Sequence, residues 1–179
     1  KKSNELLAHV YSELYGIQST GLRFFTVYGP WGRPDMAPMI FTKAILSNKP
    51  IQIFNKGDMA RDFTYIDDVV EAIMKLVQKP AFANKKFNFE NPEASSSWAP
   101  HRIFNVGNSH PIKLLQFVSS LEDELRIKAI KVFREMQPGD VLETYADTKK
   151  LKSYINYSPS TSLTHGIKQF IKWYKEYYS

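Results

Sequence analysis

An α/β fold is predicted by three features of this 179-residue sequence. Stretches with helical apolar spacing alternate with short runs rich in Phe, Ile and Val, and glycine and proline punctuate the junctions. A composition that is 43% hydrophobic and 14% aromatic is enough to bury a core.

Leu6, Leu7, Val10 and Leu14 share one helical stripe, and Gly16 sits where a helix commonly stops. Nothing caps the start of that helix and no initiator methionine precedes it, so the chain reads as a fragment that opens inside a helix. Thr20 to Val27 forms a Phe-rich strand bounded by Gly29-Pro30. The loop Trp31 to Asp35 that follows is a ligand position. Pro38 suits the first turn of a helix running to about Ser47, and Lys49-Pro50 breaks it. Ile51 to Phe54 alternates as a short strand, and Thr64 to Ile66 is extended. Asp67 is the expected N-cap of a helix carrying Val69, Val70, Ile73, Met74 and Val77, which ends before Pro80.

Pro80 to Pro100 has no period and many loop formers, the pattern of a surface excursion with a disordered tip. Ile103 to Val106 is the next strand, closed by Gly107-Asn108. Leu114, Phe117, Val118, Leu121 and Leu125 mark a helix, and Ile130 to Phe133 a strand. A short helix follows Asp147, and a long terminal one turns Leu163, Ile167, Phe170, Ile171 and Tyr174 inward. No internal repeat is present. The strands are too few for a free-standing doubly wound sheet, so further strands are expected before residue 1.

The formal net charge of +6 suits an anionic partner. The lysines scatter along helix faces, as in Lys168, Lys172 and Lys175, which is the pattern of a solvated face. Neither nucleic acid nor a membrane is the expected partner: no apolar run approaches the roughly 18 residues that cross a bilayer, and no leader opens the chain. A cytoplasmic location is the expectation. The lack of cysteine excludes disulfides and thiolate metal sites. His9, His101, His110 and His165 have no metal-ligand spacing, so no metal is expected. No glycine-rich phosphate loop occurs. The residues alone therefore lead to an anion-binding α/β domain.

The run Leu22-Arg23-Phe24-Phe25-Thr26-Val27-Tyr28-Gly29-Pro30-Trp31-Gly32-Arg33-Pro34-Asp35-Met36 resembles a signature of nucleotide-sugar epimerases and dehydratases. Downstream, in that family's order, come Arg61-Asp62-Phe63-Thr64-Tyr65-Ile66-Asp67-Asp68, Phe104-Asn105-Val106-Gly107-Asn108 and Gln137-Pro138-Gly139-Asp140-Val141, then Ala146-Asp147. The resemblance covers essentially the whole chain. It identifies the chain as similar to extended short-chain dehydrogenase/reductases, and most like the UDP-glucuronate 4-epimerases.

That resemblance implies the last elements of a Rossmann-like doubly wound sheet, residues 1–30 and 62–108, belonging to an NAD-binding domain. Residues 31–61 and 109–179 would form the smaller C-terminal UDP-sugar-binding domain, with 80–100 as a surface loop. The implied reaction is NAD-dependent epimerisation at C4 of a UDP-sugar through a 4-keto intermediate, interconverting UDP-glucuronate and UDP-galacturonate. Epimerisation of UDP-glucose or its N-acetylated relative, sugar-nucleotide 4,6-dehydration, and a non-catalytic polyanion-binding module are the rival readings.

Lys1-Lys2-Ser3-Asn4-Glu5 matches the continuation of the family's Tyr-x-x-x-Lys helix, so Lys1 takes the place of the catalytic, cofactor-touching lysine. Its tyrosine would lie outside the sequence, and the chain alone would be inactive. By the same resemblance Phe24 lines the nicotinamide pocket, while Thr26 and Arg33 meet the sugar and its carboxylate. Phe54 would pack on uracil, Arg61 contact the pyrophosphate and Asp140 accept a ribose hydroxyl. A plainer reading of Arg61 pairs it with Asp62 at the surface. Met39 and Ile40 are apolar where some glucuronate epimerases carry a basic residue, and Gln137 replaces an arginine found in some relatives. Homodimers are the family's usual state, through helices of which residues 1–15 would be one.

Overall fold

The computed structural model describes residues 1–93 and 95–178. Ala94, within the 80–100 excursion whose tip is expected to be disordered, lies outside the described residues.

The first helix, α1 (Lys2–Tyr15), ends as expected: Gly16 adopts φ 66, ψ 18, and its N–H donates to the Ser12 carbonyl at 3.0 Å. Its orientation is the reverse of an ordinary surface helix. The apolar stripe points outward, with Leu6 62% and Leu14 66% exposed, and the buried residue is Ser12. Ser12 Oγ meets Ser19 Oγ at 2.6 Å, so a polar contact seats α1 on β1 (Ser19–Phe24).

The strand expected from Thr20 to Val27 is two strands. β1 pairs in parallel with β5 (His101–Val106), while β2 (Thr26–Tyr28) pairs in parallel with β4 (Ala60–Tyr65). Phe25 is the switch: its N–H donates to the Val106 carbonyl at 3.3 Å, and its own carbonyl accepts the Val27 N–H at 3.0 Å. That three-residue turn redirects the chain from one sheet to the next. Both halves are equally rich in strand formers, so local propensity carries no sign of the change of partner.

β3 (Ile51–Ile53) pairs in parallel with β7 (Lys131–Phe133). Phe54 leaves the strand and opens a short 3₁₀ turn, Phe54–Gly57. A further strand, β6 (Pro111–Lys113), runs antiparallel to β4, and sequence periodicity gives no sign of so short a proline-led piece. The helix after β4, α3 (Ile66–Val77), starts two residues earlier than a cap at Asp67 requires, with Tyr65 in the N-cap place. The reason is that β4 stays paired through Tyr28↔Tyr65 and turns directly into the helix. Asp67 and Asp68 then lie in its first turn, where carboxylates complement the helix dipole.

Two cores result. In the larger, α2 (Ala37–Leu46), α4 (Leu114–Leu125) and α6 (Leu163–Tyr178) close over β2, β3 and β4, with Phe63 and Phe117 stacked at 4.2 Å. All five α6 residues expected to face inward contribute: four are buried and Leu163 packs against them. Tyr28 can lie beneath α6 only because residue 166 is glycine, since a Cβ there would come within 2.1 Å of the phenol oxygen. The smaller core joins α3 and α5 (Lys149–Ile155) to β5 through Val69, Ala72, Leu76, Phe104 and Leu151.

Candidate substrate site

Neighbouring parallel strands β2 and β4 deliver Thr26 and Arg61 to one cleft of about 550 Å³. Its other walls are Asp35 and Met36 from the loop before α2, Phe54 at the end of β3, and Gln137 and Asp140 from the segment after β7. Of the seven residues singled out in the sequence, the structure thus brings together Thr26, Phe54, Arg61 and Asp140. The apolar part of the lining includes Ile51, Phe54, Met59 and Phe63, and its charged groups are Asp35, Arg61 and Asp140. Apolar walls with a few polar groups suit a small ligand that carries both a ring and a charge.

Arg61 is held before any ligand arrives. Its Nη1 donates to the Ala60 carbonyl at 2.9 Å and the Leu142 carbonyl at 3.3 Å, and its Nη2 donates to Asp140 Oδ1 at 2.7 Å. Asp140 is itself placed by the turn Gln137-Pro138-Gly139-Asp140, with Gly139 at φ 82 and the Asp140 N–H on the Gln137 carbonyl at 3.1 Å. A guanidinium this constrained, with its side chain only 19% exposed, loses little freedom when it grips an anion.

Asp62 is not the partner of Arg61. Alternation along β4 sends it to the opposite face, where it is fully buried and accepts the backbone N–H groups of Asn108, Ser109 and Ala146 at 2.8, 3.0 and 2.9 Å. It thereby ties β4 to the loop after β5 and to the segment that follows Asp140. Sequence reasoning missed this role. The available signal was an acidic residue at an inward strand position, which has to find several donors if it is to be buried.

Lys1, Phe24 and Arg33 lie outside the cleft lining. Arg33 is on the loop between β2 and α2, and its guanidinium clasps Asp35, with Nε and Nη2 to carboxylate oxygens 3.1 and 2.5 Å away. That hydrogen bonding holds the Asp35 carboxyl below its ordinary pKa. On the same loop Gly32 N–H donates to the Gly29 carbonyl at 3.2 Å, closing a turn whose third residue, Trp31, has φ 61. An L-residue in that left-handed region costs about 1–2 kcal/mol.

Lys1 is an exposed residue at the start of α1. Its place relative to β1 is fixed by Glu5, whose carboxylate receives Arg23 Nε and Nη2 at 2.7 and 2.8 Å and Lys2 Nζ at 3.0 Å. The first turn of α1 therefore sits over the carboxyl end of β1, the end at which Phe24 stands 49% exposed. Hydrogen bonds from Arg23, then Lys2, push Glu5 down to about 2 from its ordinary 4.5. A carboxyl lowered on folding contributes stability above its unfolded pKa and loses it as pH falls through the folded one. The stability advantage of the native chain over Glu5→Gln is expected to be constant above pH 4.5 and to vanish by about pH 2, as followed by urea denaturation across that range. The advantage is small because the pair is partly exposed.

Among the described residues, no group of three or more His, Cys, Asp or Glu could hold a metal ion, and no helix is long and apolar enough to cross a membrane.

The profile of the NAD dependent epimerase/dehydratase family matches residues 1–91. The chain belongs to this family. Protein CapI of Staphylococcus aureus is 52% identical over 178 residues, which is 99% of this chain and 53% of that protein. A probable UDP-glucuronate 4-epimerase of Rhizobium meliloti (strain 1021) is 43% identical over 179 residues, covering 99% of this chain and 52% of the relative. Among solved structures, the UDP-glucuronic acid 4-epimerase of Bacillus cereus in complex with UDP-glucuronic acid and NAD superimposes with a TM-score of 0.81. It is 34% identical, over 98% of this chain and 51% of that one. The chain spans about half the length of the curated relatives it matches. Its parallel strand pairs and flanking helices are those of the family's Rossmann-like α/β fold.

Proposed function

We propose that this chain is the substrate-holding half of an NAD-dependent epimerase that interconverts UDP-glucuronate and UDP-galacturonate at C4 through a 4-keto sugar. The observation that carries the reading is the fixed guanidinium of Arg61 in the same cleft as the ring of Phe54. A UDP group offers a partner to each. The names of the Rhizobium and Bacillus relatives agree with it.

On this reading Arg61 takes a pyrophosphate oxygen by a charge-assisted hydrogen bond, and Asp140, already on Arg61, is the acceptor for a ribose hydroxyl. Phe54 packs on the uracil. Thr26 and Arg33 face the sugar, with Arg33 exchanging Asp35 for the glucuronate carboxylate. A grip confined to the nucleotide leaves the sugar free to present either face. Lys1 keeps an ammonium at the carboxyl end of β1, where it favours the ionised form of a phenol one helical turn away. The half-exposed ring of Phe24, at that same end of β1, fits the flat nicotinamide of NAD. NAD when bound supplies the acceptor and donor of hydride at C4.

The same reading divides the chain into a nucleotide-binding part, 1–30 with 62–108, and a UDP-sugar-binding part, 31–61 with 109–179. A second copy would cover the outward stripe of α1, and the cysteine-free composition suits a reducing cytoplasm.

Product analysis on a panel of UDP-sugars tests the proposal. The full-length native enzyme is expected to convert UDP-glucuronate to UDP-galacturonate faster than it converts UDP-glucose or UDP-N-acetylglucosamine, and a preference for either of those contradicts it. The 179-residue chain, having no glycine-rich phosphate loop, is expected to give no steady product alone.

A further inference from the structure

We infer that Trp31 is a positioning residue, which sets Arg33 for the carboxylate of the sugar by latching the β2–α2 loop onto α6. The inference rests on the UDP-sugar reading of the cleft and adds to it a residue that touches neither substrate nor cofactor.

Trp31 occupies the third place of the turn Gly29-Pro30-Trp31-Gly32 with φ 61, a place normally taken by glycine because any Cβ is strained there. The loop already has glycines on both sides of it. Whatever offsets that strain has to come from the tryptophan ring. The ring is not in the core, since Trp31 is 71% exposed. It lies instead against the last turns of α6, with its centroid 4.9 Å from Tyr177 and 5.4 Å from Trp173. Trp173 stacks on Tyr177 at 5.5 Å and packs against the larger core, which ties the platform beneath Trp31 to that core.

The consequence falls on the next turn of the loop. Met36 N–H closes that turn on the Arg33 carbonyl at 3.2 Å, and Asp35 and Met36, the last two residues of the turn, line the cleft. One residue, Gly32, separates the latched tryptophan from Arg33. Arg33 and Asp35 are otherwise exposed, with side chains 74% and 66% accessible, and among the described residues those side chains hydrogen-bond to each other alone. Asp35 occupies the guanidinium fork as an incoming carboxylate would. Without the latch the glycine-flanked loop loses its contact with α6, and the fraction of molecules presenting that fork to the sugar falls.

Calorimetric titration of UDP and of UDP-glucuronate into the full chain and its variants tests the latch. Trp31→Gly removes the ring and the backbone strain together, whereas Trp31→Ala removes the ring and keeps the strain. Trp31→Gly is therefore expected to melt above Trp31→Ala. Both are expected to raise the Kd for UDP-glucuronate about tenfold, as when the competent fraction falls to about a tenth. The Kd for UDP stays unchanged in both, and Trp31→Phe recovers most of the loss. In an Arg33→Ala background Trp31→Gly should have no further effect.

Wild-type affinity for UDP-glucuronate in Trp31→Gly overturns the inference, as does an equal loss for UDP and UDP-glucuronate, or full additivity with Arg33→Ala. If the unaltered chain binds neither ligand, the UDP-sugar reading itself fails and takes the latch with it.

Discussion

Asp62→Ala is expected to lower the unfolding free energy by several kcal/mol, on the order of 4, because it strands three backbone donors at once. Asn108, Ser109 and Ala146 all direct their N–H groups at this one carboxylate, and no water reaches Asp62 to replace it. The contact is too tight to reorganise. A Cβ on Gly107 would sit 2.3 Å from the Ala146 side chain, so the loop after β5 and the segment around Ala146 have no slack. The Asp62 N–H donates to Thr144 Oγ1 at 3.0 Å, and Ser109 Oγ donates to the Ala146 carbonyl at 2.8 Å, which makes the cluster one connected unit. Asp62→Asn keeps the shape and loses the charge, so it should fall between the two. Urea denaturation of the three proteins measures this, and a loss below about 1 kcal/mol for the alanine variant would show that the cluster is not what joins β4 to its neighbours.

The second large effect is on binding. Arg61→Ala is expected to weaken UDP-glucuronate by several-fold to about a hundredfold, on the order of 1–3 kcal/mol for a charged hydrogen bond. Part of that loss comes from Asp140, which is left without the guanidinium it holds at 2.7 Å and adds an unopposed negative charge to a site for an anion. Arg61→Lys should restore only a fraction, because a single ammonium cannot reach the Ala60 and Leu142 carbonyls and Asp140 together. Unchanged affinity by calorimetry removes Arg61 from the site.

The sequence announces most of the architecture. Gly16 ends α1, Pro38 lies in the first turn of α2, and the α6 residues from Leu163 to Tyr174 turn inward, because each is a local consequence of backbone chemistry or helical spacing. What it leaves unannounced is non-local. Phe25 exchanges strand partners through a bond to Val106, eighty-one positions away in the chain, and nothing in a Phe-rich run marks the point. The α1 stripe is visible as a stripe but not as outward-facing, since direction depends on what else packs on β1. Family resemblance singles out Arg61 as a candidate anion ligand, yet its pairing with Asp140 rather than Asp62 is decided by which face of β4 each occupies. Trp31 looks like an ordinary loop aromatic until its positive φ and its contact with α6 are both known.

The most direct test is an amide NMR titration of the chain with UDP-glucuronate. Shift changes concentrated at Thr26, Phe54, Arg61 and Asp140, spreading to Arg33 and Asp35, are the predicted result. Changes gathered instead in the separate depression lined by Arg23, Asn105, Asp147 and Lys150, or no changes at all, would contradict the assignment of the cleft.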